Sequence, residues 1–249
     1  MSAQNEKFTP YDIMNFTIRD MTVCGKVLRN IDKGAKSMED VANRIVRHLY
    51  DTLTDGQTGK RACSLVRFFK THDYEKLDDE LQSFSRSMAG DSPVLPGTKC
   101  LTLLATVGES QEWNSRKTSK GHKAIPLLSE QAAYQIPMIR NLLKQLGFSE
   151  IMVIKPDPKF LLDIEQRTYN VFYVSDALGS PHIPAQKEFV IPYGIKSVLG
   201  FGGLLPSGDI FVVIMFLKVP VSKEGADFFK LVSLNIKIAV LPFENTVFA

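Results

Sequence analysis

Between Tyr193 and Val240 the pattern of apolar and polar positions changes three times. Residues 195–201 read as a strand, Pro206-Ser207-Gly208-Asp209 as a turn, and Ile210–Leu217 as eight apolar residues in a row. Ser222 then opens a helix running towards Leu241. Phe228, Val232, Ile236 and Ala239 form one apolar stripe on it, and Leu231, Leu234, Ile238 and Leu241 form a second. One stripe is expected to face a sheet. The second calls for a cover of its own, and a homodimer contact is expected there. Pro242 is expected to end or kink the helix.

The earlier pattern follows the same logic. Ser37 followed by Glu39 and Asp40 is a helix start, with a hydroxyl to accept an orphan N–H and acids to complement the dipole. Val41, Ile45, Val46, Leu49 and Leu53 fall on one face of a helix over 37–54, while Asn43, Arg44, Arg47 and Asp51 face out. Residues 62–69 predict a strand with Cys63, Leu65 and Phe69 on one side. Residues 73–88 predict a charged helix, 90–97 a loop, and 101–107 a strand with Leu101, Leu103, Ala105 and Val107 on one side. A polar loop over 113–123 precedes a helix over 129–146, interrupted at Pro137 and stopped at Gly147. Short elements are read at 151–154 and 158–166, and a strand at 170–174. Residues 1–36 read as an N-terminal arm or helix, with Ile13, Phe16, Ile18 and Met21 as apolar positions.

Strands 195–201 and 210–217 are joined by too short a link for a parallel crossover, so they pair antiparallel. Helices lie at both ends. The expected class is α+β: one antiparallel sheet with helices packed on it.

Composition narrows the function. The 249 residues carry 44% hydrophobic and 23% charged side chains and a net charge of +3, too weak to argue for nucleic acid or an anionic membrane. The longest apolar run has eight residues, against the ~20 that span a bilayer. The N-terminus has no apolar signal-peptide core. Cys24, Cys63 and Cys100 include no CxxC pair. Cys63 and Cys100 lie in apolar runs and read as buried reduced thiols, which suits the cytoplasm. Cys24 reads as the most exposed of the three.

No metal-ligand spacing, phosphate loop or nucleophile motif is present, so no metal and no catalytic residue is expected. Gly200, Gly202 and Gly203 run towards a hairpin rather than a helix N-terminus, so they read as close backbone approach in the sheet. The loop with Arg116, Lys117, Lys120, His122 and Lys123 reads as a solvated loop or a surface for an anion.

The stretch from Asn170 to Ile238 resembles the second half of a GAF domain. Asn170 to Asp176 looks like the family's strand ending in Asp. Tyr193 to Leu199 is similar to its G-I-x-S-x-L strand, and Ser207 to Phe216 to its hairpin and central strand. Helix 37–54 and strand 62–69 resemble the family's opening. The resemblance makes 37–249 a GAF-like sensory domain, with insertions near 71–98 and 109–150. The variant looks like the sensory segments ahead of bacterial, especially cyanobacterial, histidine kinases. Such domains bind a small ligand or chromophore over the sheet, dimerise through terminal helices and relay the bound state to an output kinase or regulatory domain of the same or another chain.

Pocket candidates on this reading are Trp113, Phe172, Tyr173, Asp176, His182, Phe189, Tyr193 and Phe201. Pro181 stands before His182, so the Cys-His pair that anchors a covalent bilin is absent. Leu217-Lys218 replaces the Asn-Lys of cyclic-nucleotide-binding members. The ligand is left open, non-covalent haem or another small molecule included. Two alternatives stand beside this reading. One is a thiol enzyme of GAF fold, of the methionine sulfoxide reductase type, using Cys63 and Cys100. The other is a ligand-free interaction or dimerisation module.

Overall fold

The computed structural model describes residues 10–128, 137–147 and 171–248. The readings at 151–154 and 158–166, and the first part of helix 129–146, lie outside the described residues.

A six-stranded antiparallel sheet organises the chain. Its strands are β3 (Cys63–Asp73), β4 (Lys99–Gly108), β5 (Ala124–Pro126), β6 (Val171–Val174), β7 (Ser197–Leu204) and β8 (Ile210–Leu217), in the order β5-β4-β3-β8-β7-β6. A separate short pair joins β1 (Tyr11–Asp12) to β2 (Leu53–Thr54) in parallel. The helices are α1 (Ile18–Arg29), α2 (Met38–Thr52), α3 (Asp79–Ala89), α4 (Pro137–Leu146), α5 (Lys223–Asp227) and α6 (Phe229–Val240). This is the expected α+β class with helices at both ends.

Strand β8 lies at the centre, between β3 and β7. Phe211, Val213, Met215 and Leu217 join the core under α1, α2 and α6, while Ile210, Val212, Ile214 and Phe216 join a second core on the other face. That division explains the unbroken apolar run: a strand buried on both faces has no solvent side to alternate towards. Helix α2 starts at Ser37, whose hydroxyl accepts from the Asp40 N–H at 3.1 Å. The Met38 and Glu39 N–H groups donate to the Thr246 and Val247 carbonyls, so the chain beyond α6 folds back over this helix start.

Two strands depart from simple alternation. β4 shifts register against β3 between Phe68 and Phe69, where Phe68 faces Ala105 but Phe69 faces Leu103. Leu101 and Leu103 therefore join one core while Ala105 and Val107 join the other, correcting the reading that set all four on one side. A second shift, between Cys63 and Leu65 against β8, places Cys63 with the helix-side core and Leu65 with the opposite one. Strand β3 also runs four residues past 69, so the helix read at 73–88 begins only at Asp79.

The N-terminal segment is built into the same core. Ile13, Phe16, Met21, Cys24 and Leu28 are buried, and Phe16 stacks on Phe229 at 5.0 Å. Ile18, read as an apolar contact position, is exposed; the helix begins there, under the Thr17 cap, and its buried face starts at Met21. Cys24, read as the most exposed thiol, is fully buried. The helix opening at Ser222 breaks at Phe228 into α5 and α6 and ends at Val240, where Pro242 sits in a single 3-10 turn.

Candidate functional site

The face of the sheet opposite α1, α2 and α6 holds a cavity of about 270 Å³. Its floor is Leu65, Arg67 and Phe69 of β3 with Ile214 and Phe216 of β8. Its cover comes from three places in the sequence: Trp113 to Ile125, the start of α4 at Met138 and Ile139, and the segment from Ile183 to Phe189. The volume lies near the lower end of the range for small-molecule sites, roughly 300–1,000 Å³.

Local structure fixes each part of the cover. Trp113 lies in a 3-10 turn over Gln111–Asn114. Asn114 braces that turn by donating to the Gly108 and Ser110 carbonyls at 3.2 and 3.0 Å. A Cβ on Gly108 would stand 2.8 Å from the Trp113 ring, so glycine gives the indole its place. Phe189 lies in one π-helical turn, Gln186–Val190, a geometry that recurs at functional sites. Its ring meets Phe216 at 4.8 Å and Trp113 at 5.6 Å. Tyr193 packs on Trp113 at 4.6 Å from outside the lining.

Arg67 is the polar exception. It is 9% exposed. Its Nη2 donates to Ser119 Oγ at 3.2 Å, and its Nη1 reaches the Gly121 carbonyl at 3.5 Å, the limit of a hydrogen bond. Both acceptors are neutral, and its Nε has no partner among the described residues. Burial lowers its proton affinity to about 10, still far above neutral pH, so it stays charged. Thr106, its cross-strand neighbour on β4, is buried and has an unpartnered hydroxyl of its own. His122 lines the cavity with φ at +58°, a left-handed conformation uncommon outside glycine. The protein packed around its ring, and then the charge of Arg67, push its proton affinity below the ordinary histidine value. Its residue surface is exposed nonetheless, so its open side looks outward.

The sequence-read candidates divide between the two faces. Trp113 and Phe189 line the cavity, and Tyr193 buttresses both. Phe172 is fully buried beneath, beside Leu142 and Gly200. Phe201 lies on the opposite face, 5.1 Å from Phe229. Tyr173 also joins that face, its hydroxyl donating to the Val221 carbonyl. Asp176 is exposed and accepts from the Leu178 N–H at 3.1 Å. His182 stands outside the lining, next to Ile183, which belongs to it. Sequence reasoning missed Arg67. The available signal was a lone arginine inside an apolar strand.

The basic loop is neither free nor uniformly solvated. Arg116 makes a two-point ion pair with Glu39 at 2.7 and 3.1 Å, and Lys123 pairs with Glu80 at 2.6 Å. Lys120 pairs with Glu112 at the surface. The three cysteines are buried and outside the cavity lining. Burial pushes the Cys24 and Cys63 thiols up to about 12 and raises Cys100 as well, opposite to what a nucleophilic cysteine needs. Among the described residues no group of His, Cys, Asp and Glu could hold a metal ion, and no helix is long and apolar enough to cross a membrane.

No protein-family model and no curated protein matches the sequence. Solved structures do. The reduced form of fRMsr of Staphylococcus aureus is similar at 10% identity over 89% of this chain and 95% of that one, with a TM-score of 0.46. The GAF domain of a phosphoenolpyruvate-protein phosphotransferase from Coxiella burnetii is similar at 13% identity over 90% and 93%, with a TM-score of 0.42. The phycocyanobilin-bound GAF domain of a cyanobacterial phytochrome is similar at 8% identity over 90% and 96%, with a TM-score of 0.43. None of these likenesses gives a residue of this chain its role.

Proposed function

We propose that this chain is a sensory or regulatory module without chemistry of its own, which binds a small molecule in the cavity over β3 and β8. The observation that carries the reading is the cavity itself: an apolar, aromatic-walled space beside a buried charged group. The buried cysteines, held as thiols, support the non-catalytic reading over a thiol enzyme. They also suit the cytoplasm. Output passes, on this reading, to a kinase or other regulatory domain of the same or another chain.

The protein contains one tryptophan, and it lines the cavity. Toluene is therefore expected to change Trp113 fluorescence saturably and to raise the melting temperature with concentration, by mass action. A cavity that takes neither toluene nor any other small organic probe by either readout would sink the ligand-site reading and leave a ligand-free interaction module.

The second proposal is a homodimer through the helical face. Leu231, Ile238 and Leu241 are exposed and Leu234 is half-buried, while α1, packed beside α6, exposes Ile18 and Val23. Apolar side chains gathered on adjacent helices favour a partner surface. Sedimentation is expected to give a dimer that Ile238→Glu converts to monomer. A wild-type protein that stays monomeric at high concentration would rule this out.

A further inference from the structure

We propose that the ligand is a small organic monocarboxylate with an apolar body, anchored through its carboxylate by the Arg67 guanidinium. This deepens the reading of the cavity as a ligand site and rests on it.

A guanidinium has five N–H donors in a planar fork. At Arg67 two of them have partners, both neutral and one at the limiting distance, and Nε has none among the described residues. No carboxylate among the described residues pairs with it, although it is nine-tenths buried. A buried charge in that state is costly unless something completes it. The Thr106 hydroxyl, also buried and unpartnered, stands beside Arg67 on the same face of the sheet, outside the cavity lining. A carboxylate matches the fork with two parallel hydrogen bonds, which is the geometry arginine serves best.

The rest of the ligand follows from the walls. Leu65, Phe69, Ile214 and Phe216 below, with Phe189 and the largely apolar indole of Trp113 above, give mainly apolar contact. Charge selects against phosphate. His122, next to Arg67, is pushed towards its neutral form, so the site offers one positive charge rather than the two or three that a dianion favours. A cavity of about 270 Å³ sets the size at a single ring or a short branched chain.

The test compares shape-matched probes by Trp113 fluorescence: phenylacetate and 4-methylpentanoate against neutral phenylacetamide, with toluene as the uncharged reference. Phenylacetate is expected to bind at least about tenfold tighter than phenylacetamide, the lower range for a charge-assisted pair. In Arg67→Met that preference is expected to vanish while toluene still binds. Inorganic phosphate is expected not to displace phenylacetate. In the wild type, the Arg67 Nε–H resonance is expected to shift with phenylacetate and not with phenylacetamide, a readout that needs no variant to fold. Equal binding of acid and amide, displacement by phosphate, or an acid preference that survives Arg67→Met would each overturn the carboxylate assignment while toluene binding upholds the cavity. Failure of toluene together with both acids would overturn the underlying site reading as well.

Discussion

Asp209→Ala is expected to destabilise the protein by about 3–5 kcal/mol, the range for stripping one partner from a buried ion pair. Asp209 closes the hairpin between β7 and β8, yet its carboxylate points into the end of the sheet and is 14% exposed. It accepts from Lys70 Nζ at 2.7 Å, from Lys99 Nζ at 2.9 Å and from the Thr71 hydroxyl at 3.2 Å. Lys99 also holds Asp73 at 2.7 Å and keeps that partner in the variant. Lys70 does not have that reserve. Its side chain is 3% exposed and, among the described residues, would retain only the Thr71 carbonyl, at 3.0 Å. Urea denaturation measures the loss. Lys70→Met in the same background is expected to recover at least half of it, because the stranded charge is then gone. A cost below about 1 kcal/mol for Asp209→Ala would mean that water reaches Lys70, against its burial.

The same group sets an acid limb. Burial acts to raise the Asp209 proton affinity, but the charges and hydrogen bonds of Lys70 and Lys99 outweigh it and bring the value to about 2. The folded value lies below the unfolded one, so this contribution to stability is present above about pH 4. It is lost as the pH falls through about 2. Asp209→Asn is expected to flatten the stability profile in that window.

Gly202→Ala is expected to cost about 3 kcal/mol or more, an overpacking loss at the upper end because backbone must move. A Cβ at Gly202 would stand 2.1 Å from the Phe211 carbonyl oxygen on β8, the neighbouring strand. Helix α6 holds the same residue from another side, with the buried Ser233 hydroxyl donating to the Gly202 carbonyl at 2.6 Å. Gly200 provides the comparison. Its added methyl would meet the Phe172 and Leu142 side chains at 3.2 and 3.3 Å, atoms that can shift by the few tenths required. Gly200→Ala is therefore expected to cost about 1 kcal/mol, the lower end of overpacking. Similar denaturation midpoints for the two variants would contradict the strand contact at Gly202.

The glycines also mark how far the pattern of residues could be read. Their use in the sheet followed from the turn after them, which leads into a hairpin and not a phosphate-binding helix. Which glycine is indispensable depended on which strand lies alongside, and that is a non-local fact. The candidate site divided in the same way. Trp113 and Phe189 were legible as aromatic residues in covering segments, and they do meet over the sheet. Phe201 was equally aromatic but faces the helices, because strand parity assigns a face and sequence alone does not say which face holds the cavity.

The residue pattern was enough for the α+β class, the closing hairpin, the Ser37 helix start and the end of the last helix near Pro242. Each rests on interactions within a few residues: side-chain periodicity, a cap, a turn, a missing N–H. Long-range packing settled which face of each strand holds which side chain, since bulges in β3 and β4 reverse parity partway along them. It alone brought Lys70 to Asp209 across 139 residues. It also set Arg67 beneath a cover drawn from distant segments. Arginine in an apolar strand has the same local chemistry whether it points to water or to a cavity, and burial, which makes its charge consequential, exists only once the layers have packed.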